Sequence, residues 1–154
     1  MVFIINNQST FSLPFSSPLD DRQKLSFGLR TNVTAEDWMF EIKVAMYRDD
    51  SIQEEFLSMD LLANGSLSVG YNDKGEVRQL IVSEVQVADN QWHIITLDRQ
   101  HRNLSLTVDK VHQGPSTVVA APFSFLDKPL TLNGNNYNSN YFLLLRSIVI
   151  SCCM

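Results

Sequence analysis

Short runs in which apolar and polar residues alternate follow one another along most of this chain, and the apolar members of each run share one parity. Leu25, Phe27 and Leu29 form one such set, and Ile42, Val44 and Met46 another. Leu57, Met59 and Leu61 follow, then Leu67, Val69 and Tyr71, then Leu80-Ile81-Val82. Leu104, Leu106 and Val108 come next, with Leu130 and Leu132 after them. A period of two places alternate side chains on one face of a strand, so each run predicts a strand with one buried face. Turn formers punctuate them: Arg48-Asp49-Asp50-Ser51, Asn64-Gly65, Asn72-Asp73-Lys74-Gly75, Gly114-Pro115 and Asn133-Gly134. No stretch sustains a helical period, and Asp50 to Met59, the nearest candidate, is explained as well by alternation. Many short strands at this spacing predict an all-β, antiparallel sandwich rather than βαβ units.

The clearest run is Asp89-Asn90-Gln91-Trp92-His93-Ile94-Ile95-Thr96-Leu97-Asp98-Arg99. With Leu104 to Asp109 it predicts a hairpin whose tip is Gln100-His101-Arg102-Asn103. Trp92 and Ile94 fall on one side, His93, Ile95 and Leu97 on the other. Apolar residues on both sides predict a central strand, with Trp92 and His93 both in the core.

Composition narrows the function classes. With 44% hydrophobic and 19% charged residues the chain is ordinary globular material of one domain. A net charge of -5 without a Lys/Arg cluster gives nucleic-acid binding no electrostatic support. Cys152 and Cys153 are adjacent, too close along the chain to pair with each other, so no disulfide framework is expected. The apolar start Met1 to Ile5 is too short for a signal-peptide core, and Tyr141 to Ile150 too short for a span of ~20 residues. Direct membrane insertion is therefore not expected. Sequons occur at Asn7, Asn32, Asn64 and Asn103, and the last three fall at predicted turns, where a glycan would stand in solvent. They point to an extracellular or cell-surface location, the chain being a piece or variant product of a larger protein.

Enzyme signatures are not found. Glu54 and Asp60 share a strand face but lie roughly 20 Å apart, too far to flank one glycosidic bond. His93, His101 and His112 lack metal-ligand spacing.

The segment Asp89 to Arg99, a polar turn running into Trp-His and alternating apolar residues, resembles the laminin G-like family. Four other segments resemble that family in the right order. Leu25 to Thr31 is similar to its opening strand. Phe56 to Leu61 with Asn64 to Leu67 is similar to its central hairpin, Leu104 to Asp109 to its strand ending Val-Asp, and Pro129 to Gly134 to its Leu-x-Leu-Gly-Gly segment. Modules of the family recur in laminins, neurexins, agrin-like proteoglycans and Fat-type cadherins. The resemblance implies a jelly-roll sandwich at 21–134, preceded by a lead-in at 1–20. It implies a binding and adhesion module for an extracellular protein or glycan. The alternatives are a lectin-like sugar binder, for which Trp38 would be the exposed aromatic, and a truncated isoform without binding activity. It further implies a rim Ca²⁺ site in which Glu55 stands where the family usually has Asp, completed by a carbonyl near Tyr71 or Asn72 and by Asn140. The departure is at 135–154, where the family's Gly-Cys closing strand is missing. Tyr141 to Ile150 either substitutes for that strand or is foreign to the fold, and the second reading is favoured.

Overall fold

A computed structural model of the chain describes residues 2–5, 10–12, 22–32, 39–73, 76–117, 121–125, 129–132 and 143–152. Every regular element among them is a strand: β1 (Val2–Ile5), β2 (Thr10–Ser12), β3 (Arg22–Thr31), β4 (Met39–Arg48), β5 (Ser51–Leu61), β6 (Leu67–Asp73) and β7 (Glu76–Val82). There follow β8 (His93–Gln100), β9 (Asn103–Val108), β10 (Val111–Thr117), β11 (Phe123–Phe125), β12 (Pro129–Leu132) and β13 (Leu143–Cys152). One sheet has six strands in the order β1-β13-β3-β8-β9-β10. The other has seven, in the order β2-β12-β4-β5-β6-β7 with β11 on β4. All pairings are antiparallel, and the architecture is a jelly-roll sandwich.

The alternation read from the sequence sorts the inner faces. Leu25, Phe27 and Leu29 of β3 and Ile95 and Leu97 of β8 are buried against Ile42, Val44 and Met46 of β4 and Leu57, Met59 and Leu61 of β5, in one core. Each such side chain contributes about 1.5–3 kcal/mol through burial. The β4–β5 turn has Asp49 at φ 48° and Asp50 at φ 59°. Two left-handed residues match the twist of the strands they join, and Asp tolerates that region better than most side chains. The β8–β9 hairpin closes with Gln100 opposite Asn103, the tip read from the sequence.

Strands also come from outside 21–134. Val2–Ile5 pairs with β13, and β13 pairs along β3 from Leu143↔Thr31 to Cys152↔Gln23. Residues 143–152 thus lie in the sheet, beside β3.

Two expectations are corrected. Gly114-Pro115 is not a turn between strands but a bulge inside β10, where the register shifts between Gln113 and Ser116. Gly114 sits at φ 114°, and a Cβ there would meet the Leu104 carbonyl oxygen at 2.9 Å. Glycine is needed for both reasons. Trp92 is half-buried outside the core, and Ile94 is 55% exposed. β8 is central, as expected, but its outer face is largely open.

Candidate functional site

Of the expected rim residues, Glu55 and Tyr71 lie on neighbouring strands of the seven-stranded sheet. Glu55 is within β5 rather than at its start, directly opposite Val44. It shares the inward parity of Leu57 and is half-buried where the core stripe of β5 runs out. Tyr71, also half-buried, stands on neighbouring β6 one residue beyond the Ser58↔Gly70 pair. Asn140, Trp38 and the sequon at Asn7 lie outside the described residues. The Glu55 carboxylate and a backbone carbonyl near Tyr71 would both be hard oxygen donors. That chemistry fits Ca²⁺ rather than a softer metal. Among the described residues no three His, Cys, Asp or Glu side chains gather so that they could hold a metal ion.

The turn asparagines differ. Asn64 is exposed, whereas Asn32, just beyond β3, and Asn103, the first residue of β9, are half-buried.

The sequence reading placed His93 in a core row, and it is buried there at 6% exposure, but as one member of a charged clamp. Its Nε2 donates to Asp89 Oδ1 at 2.8 Å and its Nδ1 to Asp109 Oδ2 at 2.9 Å. Ionised carboxylates only accept, so this arrangement favours the protonated ring, in which both nitrogens donate. Burial by itself lowers the His93 pKa, but the bonds and charges of Asp89 and Asp109 outweigh it, and the net shift is upward. For Asp89 and Asp109 burial likewise acts upward, yet both end below the ordinary carboxylate value. Asp89 is held there by His93 and the Gln91 N–H, and Asp109 by the Ile94 N–H and His93. The Ile94 N–H donates to Asp109 Oδ1 at 2.9 Å, and the Gln91 N–H to Asp89 Oδ1 at 2.8 Å. The clamp thereby ties the β7–β8 crossover to the β9–β10 turn. Both nitrogens are committed to carboxylates on opposite edges of the ring, so His93 offers no lone pair to a substrate or a metal. The signal was present in the sequence: the hairpin register places Asp109 opposite Ile94, beside His93.

The outer face of the six-stranded sheet carries a second arrangement. Ser26, Thr96, Thr107 and His112 stand directly opposite one another across β3, β8, β9 and β10. Ser26 Oγ and Thr96 Oγ1 are 3.0 Å apart. His112 Nε2 donates to the Gly114 carbonyl at 3.0 Å, and its Nδ1 and Thr107 Oγ1 are hydrogen-bonded, also at 3.0 Å. A parallel row is Lys24, Asp98 and Ser105. Arg22 grips Asp98 with two nitrogens, Nε at 2.8 Å and a second, shorter contact. Arg22 first, then Lys24 and His112, hold the Asp98 carboxyl below its ordinary value against a smaller opposing effect of burial. Arg30 Nε donates to Asn90 Oδ1 at 3.0 Å beside exposed Ile94. The neighbouring side chains therefore hold this polar face in fixed positions, with an apolar residue at one margin.

These features define a class: a jelly-roll sandwich with structured outer surfaces and no described grouping of nucleophile, base and orienting residue. The Laminin G domain model matches residues 44–143. The chain belongs to the laminin G domain family, whose members are typically extracellular binding modules and not usually enzymes. Neurexin-2 of Mus musculus and of Homo sapiens are each 33% identical over 86 residues, 56% of this chain. The chain spans only 5% of the length of either relative. Among solved structures, domains LG4-5 of the mouse laminin alpha1 chain align over 95% of this chain and 40% of that one, with TM-score 0.62 and 17% identity. The binding domain of Paraclostridial Mosquitocidal Protein 1 aligns over 98% and 42%, with TM-score 0.61 and 17% identity. The Botulinum neurotoxin serotype D binding domain aligns over 98% and 36%, with TM-score 0.60 and 15% identity. At these identities the structures share the fold. No helix among the described residues is long and apolar enough to cross a membrane.

Proposed function

We propose that the chain is an extracellular or cell-surface module of a larger protein, and that it binds a protein or glycan partner across the outer face of β3, β8, β9 and β10. The observation that supports this is the row Ser26-Thr96-Thr107-His112, which presents hydrogen-bonding groups already held by their neighbours. Pre-ordered polar groups lose little freedom on binding, and Ile94 supplies apolar contact at the margin. Ile94→Glu places a charge on an exposed position without touching the core. It should weaken binding to glycan arrays or to live-cell surfaces about tenfold or more while leaving the urea midpoint unchanged. Unchanged binding would place the partner on another surface.

The placement of Glu55 beside the β6 end supports Ca²⁺ as an accessory ligand. With one full negative charge, affinity would be weak, ~10⁻⁴–10⁻³ M. Millimolar Ca²⁺ should raise the thermal midpoint of the wild type, because it binds the native state alone. Glu55→Gln should abolish that rise. An equal rise in both proteins would exclude Glu55 as a ligand.

A further inference from the structure

The sequon at Asn64 joins an exposed asparagine to a buried hydroxyl. An Asn-x-Ser/Thr acceptor needs two side chains, the amide that is modified and the hydroxyl two residues on. Asn64 is exposed, and its Oδ1 accepts the Ser66 N–H at 3.0 Å. This leaves Nδ2 with no bond to the described residues. Ser66 is 0% exposed, and its Oγ has no hydrogen-bond partner among the described residues. An orphaned buried hydroxyl is unfavourable, and alanine at this position would avoid the loss. The backbone around it is closed on both sides. The Leu62 N–H donates to the Ser66 carbonyl at 2.9 Å, the Gly65 N–H to the Leu62 carbonyl at 2.8 Å, and the Val87 N–H to the Gly65 carbonyl at 2.7 Å. Gly65 holds φ 82°. Reaching the Ser66 hydroxyl therefore requires opening the turn. In the folded chain Asn32 and Asn103 are half-buried and engaged with neighbouring groups, so a glycan added earlier would have to displace those contacts as the sandwich closes.

We infer that Asn64 is the glycan-bearing asparagine, and that it is modified before the sandwich closes. The Ser66 hydroxyl serves the unfolded chain as part of the acceptor and is left without a partner once the chain folds. The donor class is an oligosaccharide carried on a diphosphate. Asn64 Nδ2 forms a bond to the anomeric carbon, the bond from that carbon to the diphosphate oxygen breaks, and the diphosphate leaves with the electron pair. Nδ2 releases one proton. The glycan would stand at the β5–β6 turn, the end of β5 away from Glu55, leaving the Glu55 rim uncovered.

The inference shares the extracellular reading above, so the test supplies its own export leader and does not depend on the native compartment. The full chain is secreted from eukaryotic cells as wild type, Asn64→Asp and Ser66→Ala, and its glycans are mapped by glycosidase treatment in heavy-oxygen water. Wild type should carry a glycan at Asn64, and both variants should lack it. Made in bacteria, Ser66→Ala should unfold at the same or a higher urea concentration than wild type. Asn64→Asp should match wild type, because a carboxylate oxygen also accepts the Ser66 N–H. Folded bacterial wild type should resist an oligosaccharide transferase with its donor, while a peptide of residues 60–70 accepts glycan. A glycan at Asn32 or Asn103 with Asn64 bare would overturn the assignment. Transfer to the folded chain, or a lowered midpoint for Ser66→Ala, would overturn the role given to the hydroxyl.

Discussion

Phe123→Ala should lower the unfolding free energy by about 3–5 kcal/mol, since a large buried aromatic leaves a cavity that its surroundings only partly fill. Phe123 is 0% exposed and Phe125 1%, and their rings meet edge to face with centroids 6.0 Å apart. That contact is worth about 0.5–1.5 kcal/mol beyond the area buried. The short strand that carries them links the two sheets. It pairs with β4, the Pro122 carbonyl accepts the Tyr47 N–H, and the Phe123 N–H reaches the His101 carbonyl at the β8–β9 tip. Gln23, fully buried in β3, accepts the Phe125 N–H at 2.8 Å. Against a typical total of about 5–15 kcal/mol, the substitution removes a large share of the stability. A urea melt measures it, and a loss below about 1 kcal/mol would show that this bridge is dispensable. Phe123→Leu, which keeps most of the volume, should cost much less.

The pH profile of stability should carry the signature of the His93 clamp. The folded pKa of His93 lies above its ordinary value of 6.5, so its contribution is complete below that value and is lost as pH rises through the folded one. The folded pKa values of Asp89 and Asp109 lie below 3.8, so their contributions are present above that value and are lost as pH falls through the lowered ones. The clamp is thus most effective in the mildly acidic window between the two. His93→Gln removes the charge and one of the two donors. At pH 5 it should cost about 1–2 kcal/mol, a figure kept small because the Asp89 and Asp109 side chains are 46% and 40% exposed and solvent screens them. The gap between wild type and variant should narrow in alkaline buffer. Urea midpoints at pH 5 and pH 9 decide it. An equal gap at both would mean that His93 acts through packing, with its charge irrelevant.

Strand faces were legible in the sequence because alternation is a local property. Leu25, Val44, Leu57 and Val69 are buried where parity placed them. What depends on partners distant in the chain was harder to read. Trp92 and Ile94 are apolar and outward, and no local rule says whether a second layer covers that side. Gly114-Pro115 has turn chemistry, but strand pairing carries β10 through it as a bulge. The polar row Ser26-Thr96-Thr107-His112 is scattered over four strands and emerges only once their registers are known. The clamp required the same step, from hairpin register to the side-by-side placement of His93 and Asp109. For the rim, parity put Glu55 on the inward side, whereas the expected partner Asn140 lies in a segment with no such pattern, outside the described residues.

The six-stranded sheet also constrains how the molecule is made. β13 lies between β1 and β3, so the strand late in the chain is inserted between two early ones. Its hydrogen bonds join residues from opposite ends of the described chain, such as Leu143 with Thr31 and Arg146 with Val2. Contacts of this kind carry high loop-closure entropy and slow the search for the native topology. β4 to β7 succeed one another as simple hairpins, so the meander they form can collapse as soon as it is synthesised. The opposite sheet has to wait with an open slot beside β3 until β13 arrives. Until β13 pairs with it, that edge of β3 presents unpaired backbone groups of the kind that favour wrong pairing.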